Sequence, residues 1–270
     1  MAVDDAYTKA LLHFNGSDES TTFTDESGKT WTANGDAQLD TADKKFGTAS
    51  GLFDGTGDYV DSGVSADFGF GTDDFTIDFW MKSGQSSGDY GCIVGNTAGG
   101  ETGHFRIGNR FGNSSELVLN WNTGGDYYDL QTGFNPNTSA WMHIALVRSS
   151  GVLKLYAGGV LKGTDSSHTT IAIGGAGFGG RIGYQSITGV YYDGWIDELR
   201  ISKGIARWTE NFNVPPNEYP VTYNTVDDAY TKALLHFNGD DGETSFIDQS
   251  GKVWTAVGSA QLDTAIKKFG

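Results

Sequence analysis

A single cysteine, Cys92, in a chain of 270 residues excludes an intrachain disulfide, and its apolar setting in GCIVG predicts a buried thiol. Basic residues are scarce: 18 Lys and Arg stand against 34 Asp and Glu, for a net charge of −16. That balance argues against nucleic acid, whose phosphates are neutralised by Lys and Arg, and equally against an anionic membrane surface. No apolar run approaches the ~20 residues of a membrane-spanning helix. The opening MAVDDAYTK has neither a basic n-region nor an apolar h-region, so no signal peptide is expected. Helix-period stretches of ten or more residues are also lacking, which leaves little room for an α-helical core.

What is abundant is glycine, 40 of 270 residues, about twice the average usage of ~7%. It punctuates short runs of alternating polarity and so predicts many tight turns between strands. In DFTIDFWMK, Phe75, Ile77, Phe79 and Met81 face one way and Thr76, Asp78, Trp80 and Lys82 the other. This predicts a half-buried strand with Trp80 covered by a loop. WMHIALV (141–147) is apolar on both faces and reads as a central strand. IARWTENF (205–212) reads as one short helical turn. Regular short strands over some 200 residues predict an all-β, two-sheet antiparallel jelly-roll sandwich.

The chain also begins its own sequence twice. Residues 3–47 return as 226–270 without a gap, with 35 of 45 positions identical. A repeat of this length is a whole domain repeated, not a solenoid, whose period is ~20–50 residues. Pro215, Pro216 and Pro220 fall just before the restart. Since proline interrupts ladders and stiffens extended chain, they place a linker there. The organisation expected is a jelly roll over 1–212, a linker over 213–225, and the start of a second, truncated copy over 226–270.

In order and spacing, ALLHFNG, DESGKTW, KFGTASGLFDGTGDYV, DDFTIDFWMK, WMHIALVRSSGVLKLYAGGVLKG and GWIDELRISKGIARWTENF resemble the laminin-G-like, concanavalin A-like jelly-roll domains. The resemblance covers residues 6–212 and is closest in flavour to modules of bacteriophage virion proteins and environmental bacterial surface proteins. It implies a location on a virion surface or outside the cell. It implies too a non-catalytic carbohydrate- or surface-binding module, arranged in tandem on a fibre or as a decoration protein. Its partners would be a surface glycan or neighbouring copies in a homo-oligomer or filament. A structural repeat without a glycan ligand is the alternative. Glycosidases on this fold carry three acids in an E-x-D-x-x-E strand. That pattern is absent here, as are G-x-S-x-G and H-E-x-x-H, so no enzyme is expected. On a regular strand the adjacent Asp197 and Glu198 would point to opposite faces.

The resemblance further implies a structural calcium ion between the first and closing strands, with Asn15, Asp25 and Asp197 as the matching oxygen donors. Turn chemistry is the competing reading of the same three residues: Asn15 precedes Gly16, Asp25 precedes Ser27-Gly28, and Asp197 would cap a sheet edge. For a sugar, an aromatic ring beside amide or carboxylate groups is the expected platform. The candidates are Trp121 with Asn122, Tyr128, and Tyr192 with Asp193, each of which also reads as core or rim packing. In the Tyr127-Tyr128 and Tyr191-Tyr192 pairs, strand alternation turns one ring inward and the other outward.

Overall fold

The computed structural model describes residues 7–84, 91–97, 102–110, 113–175, 177–185 and 189–219. Beyond these it describes 235, 241–242, 244–247, 253–263 and 265. The chain forms two compact units, Met1–Val221 and Thr222–Gly270. The first is a sandwich of two eight-stranded antiparallel sheets, as the alternating pattern predicts.

In the first sheet the order is Val160–Asp165, Val152–Ala157, Met142–Ser149, Phe75–Ser83, Asp193–Lys203, Ser50–Asp54 and Gln38–Asp40. The closing strand Asp193–Lys203 is shared. Its first half pairs with Ser50–Asp54 and its second half with the opening strand Thr8–Leu12. The second sheet runs Asp126–Gln131, Asn113–Thr123, Phe105–Arg110, Cys92–Asn96, Gly180–Ile182, Tyr59–Ser62, Thr30–Asn34 and Thr22–Thr24. Between the sheets lies one continuous core. Phe75, Ile77, Phe79, Met81, Ile144, Leu146, Ile196 and Ile201 enter it from one side, and Trp31, Val60, Phe105, Ile107, Leu119 and Trp121 from the other. This burial is the main stabilising term of the fold.

The strand Phe75–Ser83 is not half-buried. Thr76, Asp78 and Trp80, on its far face, are buried too. Residues 205–219 do not form a helical turn but run as an irregular strap across the outer face of the first sheet. Trp208 and Phe212 stack on each other and cover Ala145, Val147 and Tyr156. Thr76 fixes the strap from below: its Oγ1 donates to Ile205 O and accepts from Arg207 N. A helix would turn part of this apolar surface back to water, whereas a flat strap buries it. Trp80 lies under Lys45 and Phe46, a loop that covers it as its place on the polar side of the strand predicts.

The strap also moves the boundary. Tyr219, assigned to a linker over 213–225, is buried within the first unit, which ends at Val221 instead of residue 212. Residues 220–225 lie outside the described residues.

In the second unit, Ser245–Ile247 pairs with Val253–Thr255, placing Phe246 opposite Trp254. This repeats the Phe23–Trp31 pairing of Thr22–Thr24 with Thr30–Asn34. Gly242 N donates to Leu262 O, as Glu19 N does to Leu39 O. The local code of the repeat is therefore read the same way twice.

Candidate functional site

Two places on the first unit gather functional groups: a depression beside the closing strand, and a tyrosine patch on the second sheet.

The depression depends on a bulge. Ile196, Leu199 and Ile201 all enter the core, so two residues, Asp197 and Glu198, stand where alternation allows one. The pairing with Phe75–Ser83 slips between Asp197 and Arg200, and Glu198 takes a positive φ of 51°. The opposite-face expectation for this pair is thereby overturned: Asp197 meets the loop over Trp80 through Lys45 N and Phe46 N, and Glu198 meets the strap on the same outer side through Tyr219 N. Glu198 Oε1 accepts from His13 Nδ1 at 2.7 Å and Oε2 accepts from Tyr219 N at 2.8 Å. Alongside them lies an open depression of ≈ 560 Å³ lined by His13, Asn15, Glu26, Phe46, Gly47 and residues 217–219. Asn15 Nδ2 donates to Glu218 Oε1 at 2.8 Å. Gly47 has a φ of +56°, and a Cβ there would overlap Asn15 Oδ1 and Glu218 Oε1, so only glycine fits. Burial alone would lower the His13 pKa. The hydrogen bond and charge of Glu198, with the charges of Glu218 and Glu26, outweigh burial and raise it.

The three calcium candidates divide. Asp25 is a turn anchor: Oδ1 accepts from Leu11 N (3.1 Å) and Ser27 N (2.7 Å), and Oδ2 from Trp31 Nε1 (2.9 Å). Three N–H donors leave it ill suited to a cation, and it drops out of the set. Asn15 and Asp197 instead hold opposite ends of the loop 45–48. Asn15 Oδ1 accepts from Thr48 N, and Asp197 Oδ2 accepts from Lys45 N and Phe46 N. Asp197 Oδ1 is buried without a hydrogen-bond partner among the described residues. Burial pushes this carboxyl up to about 8 against its backbone hydrogen bonds, and the Glu198 charge adds to the rise. These two residues fit a cation in part.

Next to the depression, under the strap, lies a buried polar cluster. Arg200 meets Asp78 through two bonds of 3.0 Å each. The Tyr219 hydroxyl donates to Asp78, lies 3.1 Å from His143 Nε2, and its ring sits 4.0 Å from the Arg200 guanidinium. Burial by itself would raise the Asp78 pKa, but Arg200 and His143 outweigh it and hold the carboxyl at about 2.

On the sugar candidates the structure corrects the sequence reading. Trp121 is fully buried and stacks on the inward-packed Tyr128 at 5.3 Å. Asn122 is buried, and Tyr192 is a core residue whose hydroxyl donates to Lys82 O. A ring inside the sandwich cannot face a pyranose. Asp193 sits at the sheet rim, opposite Asp54, and is not brought to the buried Tyr192. The alternation rule for Tyr-Tyr pairs holds, and the outward partners are Tyr127, 59% exposed, and the half-buried Tyr191.

Tyr191 belongs to a patch that the sequence leaves scattered. It stacks on Tyr184 at 4.3 Å and 13°, and Tyr184 lies 5.5 Å from Tyr59. Arg181 lies over Tyr59 and Tyr184 and grips Asp61 through bonds of 2.5 and 2.7 Å. Tyr59 and Asp61 flank the core residue Val60, and Arg181 precedes the core residue Ile182, so alternation turns all three outward. Register continues the polar row from Thr32 and Asp61 to Arg181, Gly95, Arg106, Asn120 and Asp129. The only signal in the sequence was the alternation within each short strand. Which strands become neighbours is a matter of topology.

Solved structures with similar folds include domain 4 of AbnA, a GH43 extracellular arabinanase from Geobacillus stearothermophilus, in complex with arabinotriose. Its TM-score is 0.56 at 21% identity, over 75% of this chain and 95% of that one. The binding domain of Botulinum Neurotoxin DC in complex with SialylT is similar at TM-score 0.51 and 16% identity, over 74% of this chain and 49% of that one. The binding domain of Paraclostridial Mosquitocidal Protein 1 gives 0.53 and 15%, over 77% and 50%. At these identities the likeness is one of fold. No curated protein matches the sequence. The family model described as the concanavalin A-like lectin/glucanases superfamily matches residues 54–210, more than half of the chain, and the chain belongs to that superfamily.

Proposed function

We propose that the first unit is a non-catalytic glycan-binding module. The observation that carries this reading is the Tyr59–Tyr184–Tyr191 patch with Arg181 and Asp61 at its edge. Half-buried rings held by mutual stacking offer flat apolar surface at little further entropic cost, and the adjoining ionic pair offers donors and acceptors for hydroxyls. The complexes of similar folds with arabinotriose and SialylT support a sugar ligand. The repeat of 3–47 at 226–270 supports a tandem arrangement on a virion fibre or cell surface, where avidity compensates for weak single sites. A calcium ion between Asn15 and Asp197 belongs to the same proposal, supported by the orphaned Asp197 Oδ1.

A glycan array run in calcium and again in EDTA tests the reading. Binding to a defined set of glycans is expected, with Tyr191→Ala weakening it by roughly fivefold or more, the loss of about 1 kcal/mol of ring contact. Absence of any signal in both buffers would refute it and leave the ligand-free structural repeat.

A further inference from the structure

The depression beside the closing strand holds a donor set that calcium chemistry does not account for. His13, Glu198 and Glu218 each present a ligand atom, and these atoms lie within 4.8 Å of one another. They arrive from three distant parts of the chain: the end of the opening strand, the bulge in the closing strand, and the strap before the repeat restarts. A second observation points to a ligand. His13 is more than nine-tenths buried, yet its Nε2 has no hydrogen-bond partner among the described residues, while its ring lines the depression together with Glu218. Leaving a buried ring nitrogen unpaired is costly. Its other nitrogen, Nδ1, donates to Glu198. A carboxylate that fixes the tautomer and leaves Nε2 as a lone pair is the arrangement that orients metal-binding histidines.

We propose that His13, through Nε2, and Glu218 form a site for a divalent transition-metal ion of the zinc type, with Glu198 orienting the His13 ring from its other nitrogen. Imidazole nitrogen with carboxylate oxygens suits such ions, whereas calcium takes oxygen ligands alone. Ligands of one zinc ion stand ~2.0–2.2 Å from it, so donors 4.8 Å apart or less close on it by small side-chain shifts. Water from the open depression completes the coordination. The consequence is mechanical. Glu218 belongs to the strap and His13 follows the opening strand, so the ion staples the strap to the end of that strand.

The test is calorimetric titration of the full chain with zinc sulfate and, separately, calcium chloride, with melting curves in each ion. The expected result is one zinc per chain, a melting temperature raised by zinc, and an affinity reduced at least tenfold in His13→Gln and in Glu218→Gln. Glu218 is exposed, so its substitution preserves the fold even if His13→Gln, which strips Glu198 of a buried partner, does not. Zinc uptake that survives Glu218→Gln undiminished, no uptake by the folded wild type, or a site filled by calcium and not by zinc would each overturn the proposal. None of these readouts depends on glycan binding.

Discussion

Two bidentate Arg–Asp pairs, one on each sheet, allow burial to be separated from pairing. Arg200 and Asp78 lie beneath the strap, with side chains 5% and 0% exposed. Arg181 and Asp61 lie on the outer face of the second sheet, at 13% and 25%. The bond geometries are nearly the same, so contact alone would make the two equally important. Asp78→Ala takes the carboxylate away from the buried Arg200 guanidinium and removes the acceptor of the Tyr219 hydroxyl. Breaking a buried pair in this way costs about 3–5 kcal/mol. Asp61→Ala leaves an arginine that water reaches, at a cost of roughly 0–1 kcal/mol. For a domain of this size ~1 kcal/mol shifts the melting temperature by roughly 2–4 °C. The expected shifts are therefore about 6–20 °C for Asp78→Ala and no more than about 4 °C for Asp61→Ala, read by circular dichroism. The double variant Asp78→Ala, Arg200→Met recovers much of the loss, because the stranded charge is gone. Equal shifts for the two single variants, or no recovery in the double variant, would refute the argument from burial.

The same cluster sets an acid limit. The Asp78 carboxyl is held at about 2 in the folded chain, below its ordinary value of 3.8. Its contribution is therefore present above pH ~4 and is lost as pH falls towards 2, which melting curves from pH 6 to 2 would show, and Asp78→Ala flattens this part of the profile. Trp121→Ala removes a fully buried ring and costs about 3–5 kcal/mol, whereas Tyr127→Ala on the next strand costs under ~0.5 kcal/mol; similar losses in urea titrations would contradict the core assignment of Trp121. Burial pushes the Cys92 thiol up to about 12, so iodoacetamide leaves it unmodified in the folded chain and alkylates it in urea; mass spectrometry of rapid labelling under native conditions decides this.

Much of the fold was legible because it rests on local rules. The alternation in DFTIDFWMK placed Phe75, Ile77, Phe79 and Met81 in the core, and the doubly apolar WMHIALV became a strand flanked on both sides. The Phe23–Trp31 hairpin forms again as Phe246–Trp254, since turn and pairing are encoded within each copy. Burial is not encoded there. Trp31 is 5% exposed, packed against the Phe68 ring, while Trp254 is 46% exposed.

The sites were legible only in part, for a related reason. Aromatic residues beside amides mark a sugar platform only if they face water, and alternation says that one ring of each Tyr-Tyr pair does so without saying which. Sequence by itself determined most of the strands, the turns, the repeat and the alternation of side chains along each regular strand. Tertiary structure alone decided which strands became neighbours, and so gathered Tyr59, Tyr184 and Tyr191 into one patch. It also introduced the bulge that turns Glu198 against strand alternation and towards His13. Strand periodicity is a property of a few consecutive peptides, whereas a bulge or a patch depends on partners far away along the chain.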